Sequence, residues 1–250
     1  MKISIITVCL NSENTIISTL NSVLSQTYKN IEHIIVDGGS TDNTLNIINK
    51  YNHHQKKIIT VKNSGIYDSM NKGIKASSGD IITILNSDDI YQNTETISQT
   101  VETIKKNSTH PIYLGDVVYF KNSSYYEIYR HYGSRHFKKW QMKIGLMPPH
   151  PSSFIRKSVY DEHGLYRSDF KIASDFEIFL RLIFKKNLSF FKLNRTIVRM
   201  RMGGISGRNI KSYIISTKEI LKSFKLNGIS TNLLYIFCLL YTSPSPRDDE

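Results

Sequence analysis

Two neighbouring carboxylates, Asp88 and Asp89, follow directly on the apolar run Ile81-Ile82-Thr83-Ile84-Leu85. Adjacent carboxylates repel unless a cation lies between or beside them. Mg2+ uses one or two carboxylates together with substrate phosphates. The pair is therefore a candidate for holding a divalent ion that bridges to a diphosphate; the structural alternative is a cap for a helix starting near Thr94. Asp37 ends a second apolar run, HIIVD (33–37), where a carboxylate can accept from a base N–H or a ribose hydroxyl. It also begins the turn DGGSTD, whose Gly38 and Gly39 let a ligand approach the backbone. This is not the G-x-G-x-x-G dinucleotide fingerprint. Asp175 opens a Phe-rich helical stretch, where a helix N-terminus favours the ionised form. It is a candidate general base, with helix capping as the plain alternative and Glu177 as a neighbouring acid. His150, between Pro149 and Pro151, is either a turn histidine or a substrate contact. In GIYDSMNKG (65–73), helical geometry sets Ile66, Met70 and Ile74 against Asp68, Asn71 and Lys75, as on any surface helix.

These residues need elements to carry them. ISIITVC (3–9), HIIVD, KIITV (57–61) and DIITILN (80–86) have the length and β-branching of buried strands. Each of the first three is followed by a helical pattern: Ile16, Leu20, Val23 and Leu24; Leu45 and Ile48; and Ile66, Met70 and Ile74. Asn11 or Ser12, and then Ser40, Thr41 or Asp42, are the expected caps. Alternating strands and helices with continuous apolar strands predict an α/β fold with a parallel sheet covered on both faces. Ligands bind such sheets beyond the strand carboxyl ends, where Val8-Cys9, Asp37 and Asn86 to Asp89 would converge. After residue 110, IYLGDVVYF and YYEIYRHY read as a hairpin, MPPHPSSFI (147–155) as a Pro-rich turn into a strand, and residues 173–186 as one helix. LSFFKL and TIVRMRM read as two further strands, followed by GGISG and an amphipathic helix. The expected organisation is one domain, with residues 1–110 as a nucleotide-binding half and 111–240 as a substrate-binding half. The final residues YTSPSPRDDE break in composition and read as translated vector or adaptor sequence, so 241–250 are set aside and the natural C-terminus is expected to be missing.

With 33 Lys and Arg against 21 Asp and Glu, the 250-residue chain carries +12. Much of this excess fits a Lys-, Ile- and Asn-rich composition; Arg195, Arg199, Arg201, Arg208, Lys211, Lys218, Lys222 and Lys225 form a basic cluster suited to an anionic partner. Two distant cysteines exclude a disulfide framework and a cysteine zinc site. A reducing compartment fits, MKISIITV is too short for a signal peptide, and no run reaches the ~18 apolar residues of a membrane span. LLYIFCLLY (233–241) can pack in a core or lie on a membrane.

The motifs SVLSQTY, VDGGSTD and GIYDSMNKG, in that order and at these spacings, resemble the family 2 glycosyltransferases of the GT-A fold. The resemblance covers roughly residues 2 to 205 and points to the bacterial surface-polysaccharide subgroup, with colanic-acid-like and O-antigen-like polymers. It implies a Rossmann-like, mainly parallel mixed sheet and inverting transfer from a nucleotide-diphosphate sugar, UDP-linked in the first instance, with Mg2+ or Mn2+. The acceptor it implies is a saccharide or lipid-linked saccharide, at a cytoplasmic site peripheral to the inner membrane. Carried over by position, Val8, Cys9 and Asp37 hold the nucleoside, Asp88 contacts ribose or the metal-bound diphosphate, and Asp89 is the second metal acid. Asp68, Asn71 and Asn86 complete the nucleotide-sugar set. Asp175 matches the base, and His150 and Glu177 fall on the acceptor side. The chain departs from the family in having Gly38 where a second Asp is common, Asn86 where Asp is common, Val61-Lys62-Asn63 for Glu-Pro-Asp, and Ser174 for the Glu before the base. A nucleotidyltransferase is disfavoured because CLNSENT lacks the Gly-rich loop. The alternatives are a basic nucleic-acid-binding module, for which YYEIYRHYGSRHFKKW (125–140) interleaves aromatic and basic residues without a recognised motif, and a truncated, inactive glycosyltransferase fold.

Overall fold

The computed structural model describes residues 1–62, 64–120, 127–202, 210–231 and 236. Strands β1 (Ile3–Cys9), β2 (Ile31–Asp37), β3 (Lys56–Thr60) and β4 (Ile81–Ile84) alternate with helices α1 (Ile16–Leu24), α2 (Thr44–Lys50) and α3 (Ile66–Ala76). The first four strands are all parallel, in the order β3-β2-β1-β4. Every residue of β1, β2 and β4 is buried, as expected of strands covered on both faces. The polar residues among them have partners, except Thr83, whose Oγ1 is buried without a hydrogen bond. Glu32 takes Ser4 Oγ at 2.5 Å, Ser78 Oγ at 2.7 Å and the main-chain N–H groups of Ser78 and Gly79, with Lys2 at 3.1 Å. His33 bridges Thr7 and Tyr51.

Helix α3 packs so closely on β1 that a Cβ on Gly73 would lie 2.5 Å from Ile6 Cγ2. This proximity corrects the reading of α3 as a plain surface helix. Tyr67, Met70 and Ile74 are in the core, and Asn71, placed on the polar side by spacing, is 8 % exposed.

The second half mixes antiparallel pairings with one long parallel pairing. It comprises β5 (Ile90–Tyr91), α4 (Thr96–Lys106), β6 (Ile112–Phe120), β7 (Ile128–Tyr132), 3-10 turns at Lys139–Ile144 and His150–Ser152, β8 (Ser153–Arg156) and α5 (Lys157–His163). Helix α6 (Ser174–Phe179) then leads to β9 (Phe190–Arg201) and α7 (Ile210–Asn227). The nine strands among the described residues form one mixed sheet, continuing β4-β8-β6-β9-β5, with β7 on β6. The predicted β6–β7 hairpin is present, antiparallel from Val117↔Tyr132 to Phe120↔Ile128. The stretches 121–126, 203–209 and 241–250, and most of LLYIFCLLY, lie outside the described residues.

Three expectations change. The two runs LSFFKL and TIVRMRM are one strand, β9, because Asn194 adopts a left-handed conformation (φ 51°) and the register with β6 shifts beside it. Asparagine tolerates that conformation, so a bulge replaces the expected break. The single helix over 173–186 widens after Phe179 into a π turn, Leu180–Lys185. Finally, the first turn of α4 does not rest on the expected Asp88 or Asp89: Gln26 Oε1 accepts from Ile97 N at 3.0 Å, while Asn93 Oδ1, accepting from Glu95 N at 3.0 Å, holds the turn before the helix.

Candidate active site

The carboxyl ends of β1, β2 and β4 form one rim, fixed by the register Cys9↔Asp37 and by the loop that leaves β4. Of the expected cap residues, Asp42 accepts from Thr44 N at the start of α2 at 3.0 Å, and the set also ties these loops to each other. Asn11, at φ 49°, takes Thr41 N on its Oδ1 and donates its own N–H to Ser40 Oγ. Glu13 N donates to Asp42, Asn43 N donates back to Glu13, and Ser12 Oγ meets Ser87 Oγ at 2.9 Å.

Asp37 is wholly buried. Its Oδ2 accepts Gly39 N at 2.9 Å and Ser40 N at 3.0 Å, and its Oδ1 accepts Ser40 Oγ. Gly39, at φ 95°, occupies a conformation that this tight turn requires. The side chain therefore shapes the turn from within, and what it offers a ligand is the backbone it holds. Val8 and Cys9 are each 6 % exposed at the end of β1. Burial first, then Asp37, pushes the Cys9 thiol up to about 12, so it stays protonated.

On the β4 loop, Asp88 is half-buried and Asp89 is 1 % exposed. Asn86 Nδ2 donates to Asp89 Oδ2 at 3.0 Å, while Asn86 Oδ1 is buried with no hydrogen-bond partner. Burial, and then the neighbouring Asp88, hold the Asp89 carboxyl well above the usual range; Asn86 and Arg201 counter this only in part. A neutral oxygen without a donor beside two crowded carboxylates is an oxygen set short of a cation. Among the described residues no group of three or more His, Cys, Asp or Glu could close a metal site. The fit is therefore to an open oxygen site that a diphosphate completes.

Asp175 lies in the first turn of α6. Its Oδ1 accepts Phe176 N at 2.8 Å and faces Tyr67 Oη at 3.5 Å. Burial pushes it up to about 6, against the lowering by these hydrogen bonds and with a further push from the charge of Glu219. Tyr67, Tyr132 and Tyr166 are all raised, by burial first and with Asp175 contributing. Tyr119 is raised by burial and by Asp89, and Tyr132 responds to Tyr119 as well as to Asp175. The charge of Asp89 thus raises Tyr119 on β6, and that of Asp175 raises Tyr132 on β7. The sequence reading gave these tyrosines no site role and placed Arg201 only in a basic cluster. Strand alternation on the hairpin was the signal for Tyr119 and Tyr132.

Three expected site residues serve the walls instead. Asn71 donates to Tyr166 O at 2.7 Å and accepts Tyr166 N at 3.0 Å, so both ends of its amide hold that loop. Glu177 is in a buried ion pair with Arg181 at 3.0 Å and also accepts from Asn227 on α7. His150 is 6 % exposed, lowered to about 4 by burial, and meets Tyr166 Oη at 2.6 Å. It therefore stands behind Tyr166 rather than in the opening. Asp68 does reach the surface, holding Ser64 Oγ at 2.6 Å and Lys72 at 3.2 Å. Ser174, where an acid is common in the resembling family, accepts Arg167 N at 2.7 Å and fixes the approach to α6.

Residues 4–164 match the family model Glycosyl transferase family 2. The chain belongs to that family. A relative from Escherichia coli, the UDP-Glc:alpha-D-GlcNAc-diphosphoundecaprenol beta-1,3-glucosyltransferase WfaP, is 31 % identical, covering 96 % of this chain and 91 % of its own. The uncharacterized glycosyltransferase Rv1514c of Mycobacterium tuberculosis is 30 % identical over 72 % of this chain and 68 % of its own. Among solved structures, S. aureus TarS 1-349 in complex with UDP-GlcNAc superposes with a TM-score of 0.71 at 19 % identity, covering 94 % of this chain and 69 % of that one. The mannosyltransferase PcManGT from Pyrobaculum calidifontis, in complex with GDP-Man and Mn2+, gives 0.67 at 14 % identity, over 97 % and 70 %. These likenesses place the family 2 chain in the GT-A fold.

Proposed function

We propose that this family 2 glycosyltransferase moves a sugar, with inversion, from a UDP-sugar to a lipid-linked saccharide during cell-surface polysaccharide synthesis on the cytoplasmic side of the membrane. The observation that carries this reading is the rim where the carboxyl ends of β1, β2 and β4 converge, with Asp88 and Asp89 on the loop that leaves β4. The activity named for the E. coli relative supports both the donor and the acceptor class, and the UDP-GlcNAc complex of TarS supports the nucleotide.

The nucleoside lies against Val8, Cys9 and the turn that Asp37 holds, with Asp68 at the outer edge. Asp89 is turned inward onto Asn86, so Asp88 is the carboxylate that faces a Mg2+ or Mn2+ ion, with Asp89 supporting it. When bound, such an ion neutralises the charge that develops on the departing diphosphate. Asp175 accepts the proton of the acceptor hydroxyl as that oxygen bonds to the anomeric carbon and the bond from that carbon to the diphosphate oxygen breaks on the opposite face. A base near 6 is ionised at neutral pH and still basic enough to assist.

Titration calorimetry with UDP and Mn2+ tests the donor side: binding should require the metal and weaken in Asp88→Ala. No binding of UDP at millimolar concentration would overturn the reading. Asp175→Asn should abolish transfer while keeping donor affinity; loss of both together would make Asp175 structural.

A further inference from the structure

The positive charge is confined to one part of the chain. Residues 1–127 hold 11 Lys and Arg against 12 Asp and Glu, whereas residues 128–247 hold 22 against 6. No acid occurs between Glu127 and Asp161, and Glu219 is the single acid between Glu177 and Asp248. Glu219 is turned onto the main chain of residues 171–173. Much of this basic region folds into one surface. The 3-10 turn at Lys139–Ile144, the π turn and α7 share a core through Met142, Ile183 and Phe224. Thr231, just past α7, donates to Lys143 O at 2.7 Å. The ammonium groups of Lys139 and Lys143 both sit over the Phe184 ring, at 5.2 and 5.5 Å. Trp140 in this 3-10 turn is 56 % exposed, Leu146 just after it 38 %, and Leu226 on α7 43 %. Trp140 is the chain's one tryptophan, and neither the core nor the candidate site uses it.

We propose that this surface docks the protein on an anionic lipid bilayer, with Trp140 at headgroup level and Lys138, Lys139 and Lys143 over the lipid phosphates. Indole rings favour the membrane–water boundary. Lysine stems lie along apolar surface while their charged ends stay in the polar layer. A basic segment is drawn to an anionic leaflet at short range. The aliphatic side chains decide between polyanions: Leu146 and Leu226 gain from the acyl boundary and have nothing to gain from a nucleic-acid backbone. The docking does not depend on which sugar is transferred, or on transfer at all.

The lone tryptophan reports directly on the test. Its emission should shift to the blue on adding vesicles that contain phosphatidylglycerol, and lipids brominated near the headgroup should quench it. Pure phosphatidylcholine vesicles should do neither. Replacing the three lysines together (Lys138→Glu, Lys139→Glu, Lys143→Glu) should weaken partitioning about tenfold or more, as should raised salt. Trp140→Ala, at an exposed position, should weaken co-sedimentation without loss of the folded state. The proposal is overturned if Trp140 emission is unchanged while the protein co-sediments with vesicles, or if the three-lysine variant, folded by circular dichroism, partitions as the parent does. It is also overturned if a single-stranded oligonucleotide, and not the vesicles, shifts the emission.

Discussion

Glu219 on α7 accepts three consecutive main-chain N–H groups, from Lys171 at 2.7 Å, Ile172 at 2.9 Å and Ala173 at 2.8 Å, immediately before the helix that carries Asp175. Its charge is also one of the causes that raise Asp175. In Glu219→Gln the two carboxylate oxygens become one amide oxygen. At least one of the three donors then loses its partner, and the rest become neutral hydrogen bonds. With charge-assisted bonds worth about 1.5–3 kcal/mol and neutral ones about 0.5–1.5 kcal/mol, the variant should lose roughly 2–4 kcal/mol of stability. For a chain of this size that corresponds to a fall in Tm of about 5–15 °C. The effect on Asp175 has a definite sign: removing a nearby negative charge favours the ionised form, so its pKa falls below about 6. Burial is the leading cause of the elevation and Glu219 the smallest named one, so the fall should be well under ~1 unit. Carbon-detected NMR titration of the carboxylates, assigned by difference from Asp175→Asn, measures it without a transfer assay. An unchanged Asp175 titration together with an unchanged Tm would refute the reasoning, because it would leave the three N–H groups indifferent to their acceptor.

Asp175 is raised from an ordinary 3.8 to about 6, so its contribution to stability is present below pH ~4 and lost as pH rises through 6. Asp175→Asn should therefore stabilise the fold at pH 8, by up to about 3 kcal/mol less a discount for partial exposure, and leave it little changed at pH 4; chemical unfolding at the two pH values checks this. Glu32 is opposite in sign. It is lowered to about 2 because its hydrogen bonds outweigh its burial, and its contribution of about 3 kcal/mol is present above pH ~4.5 and fades as pH falls towards 2. Glu32→Gln should flatten that acid limb in a pH series of urea melts. Asn86→Asp adds a third carboxylate beside Asp88 and Asp89. It should lower the Tm of the metal-free protein and tighten Mn2+ binding several-fold, as followed by calorimetry. Looser Mn2+ binding would show that Asn86 Oδ1 faces elsewhere.

The parallel half of the fold was legible because its strands are long, β-branched and buried on both faces, and because strand ends in such a sheet converge by geometry. Asp37, Asp88 and Asp89 could be found this way, whereas Asp175 stood out only by its place at the start of a helix. Asn71, Glu177 and His150 could not be sorted from them, because what occupies each is distant in sequence: Tyr166 for Asn71 and His150, Asn227 on α7 for Glu177. A polar residue on a helix carries no mark of whether it meets solvent or a loop 95 positions away. The tyrosines around Asp175 come from α3, the hairpin and the loop before α6, so no local spacing links them. The bulge at Asn194 was hidden for a different reason. A single left-handed residue joins two runs that periodicity separates.

The loops of the rim are tied to one another through Asn11, Glu13, Asp42 and the Ser12–Ser87 contact. Fixing a residue's backbone costs about 1–2 kcal/mol of conformational entropy, and here that cost falls on folding rather than on nucleotide capture. Donor association should therefore carry a small entropic penalty and leave the loops nearly where they were. Broad selectivity among nucleotides by loop adaptation is correspondingly disfavoured, since a rim already braced against itself can discriminate by shape before the sugar is engaged.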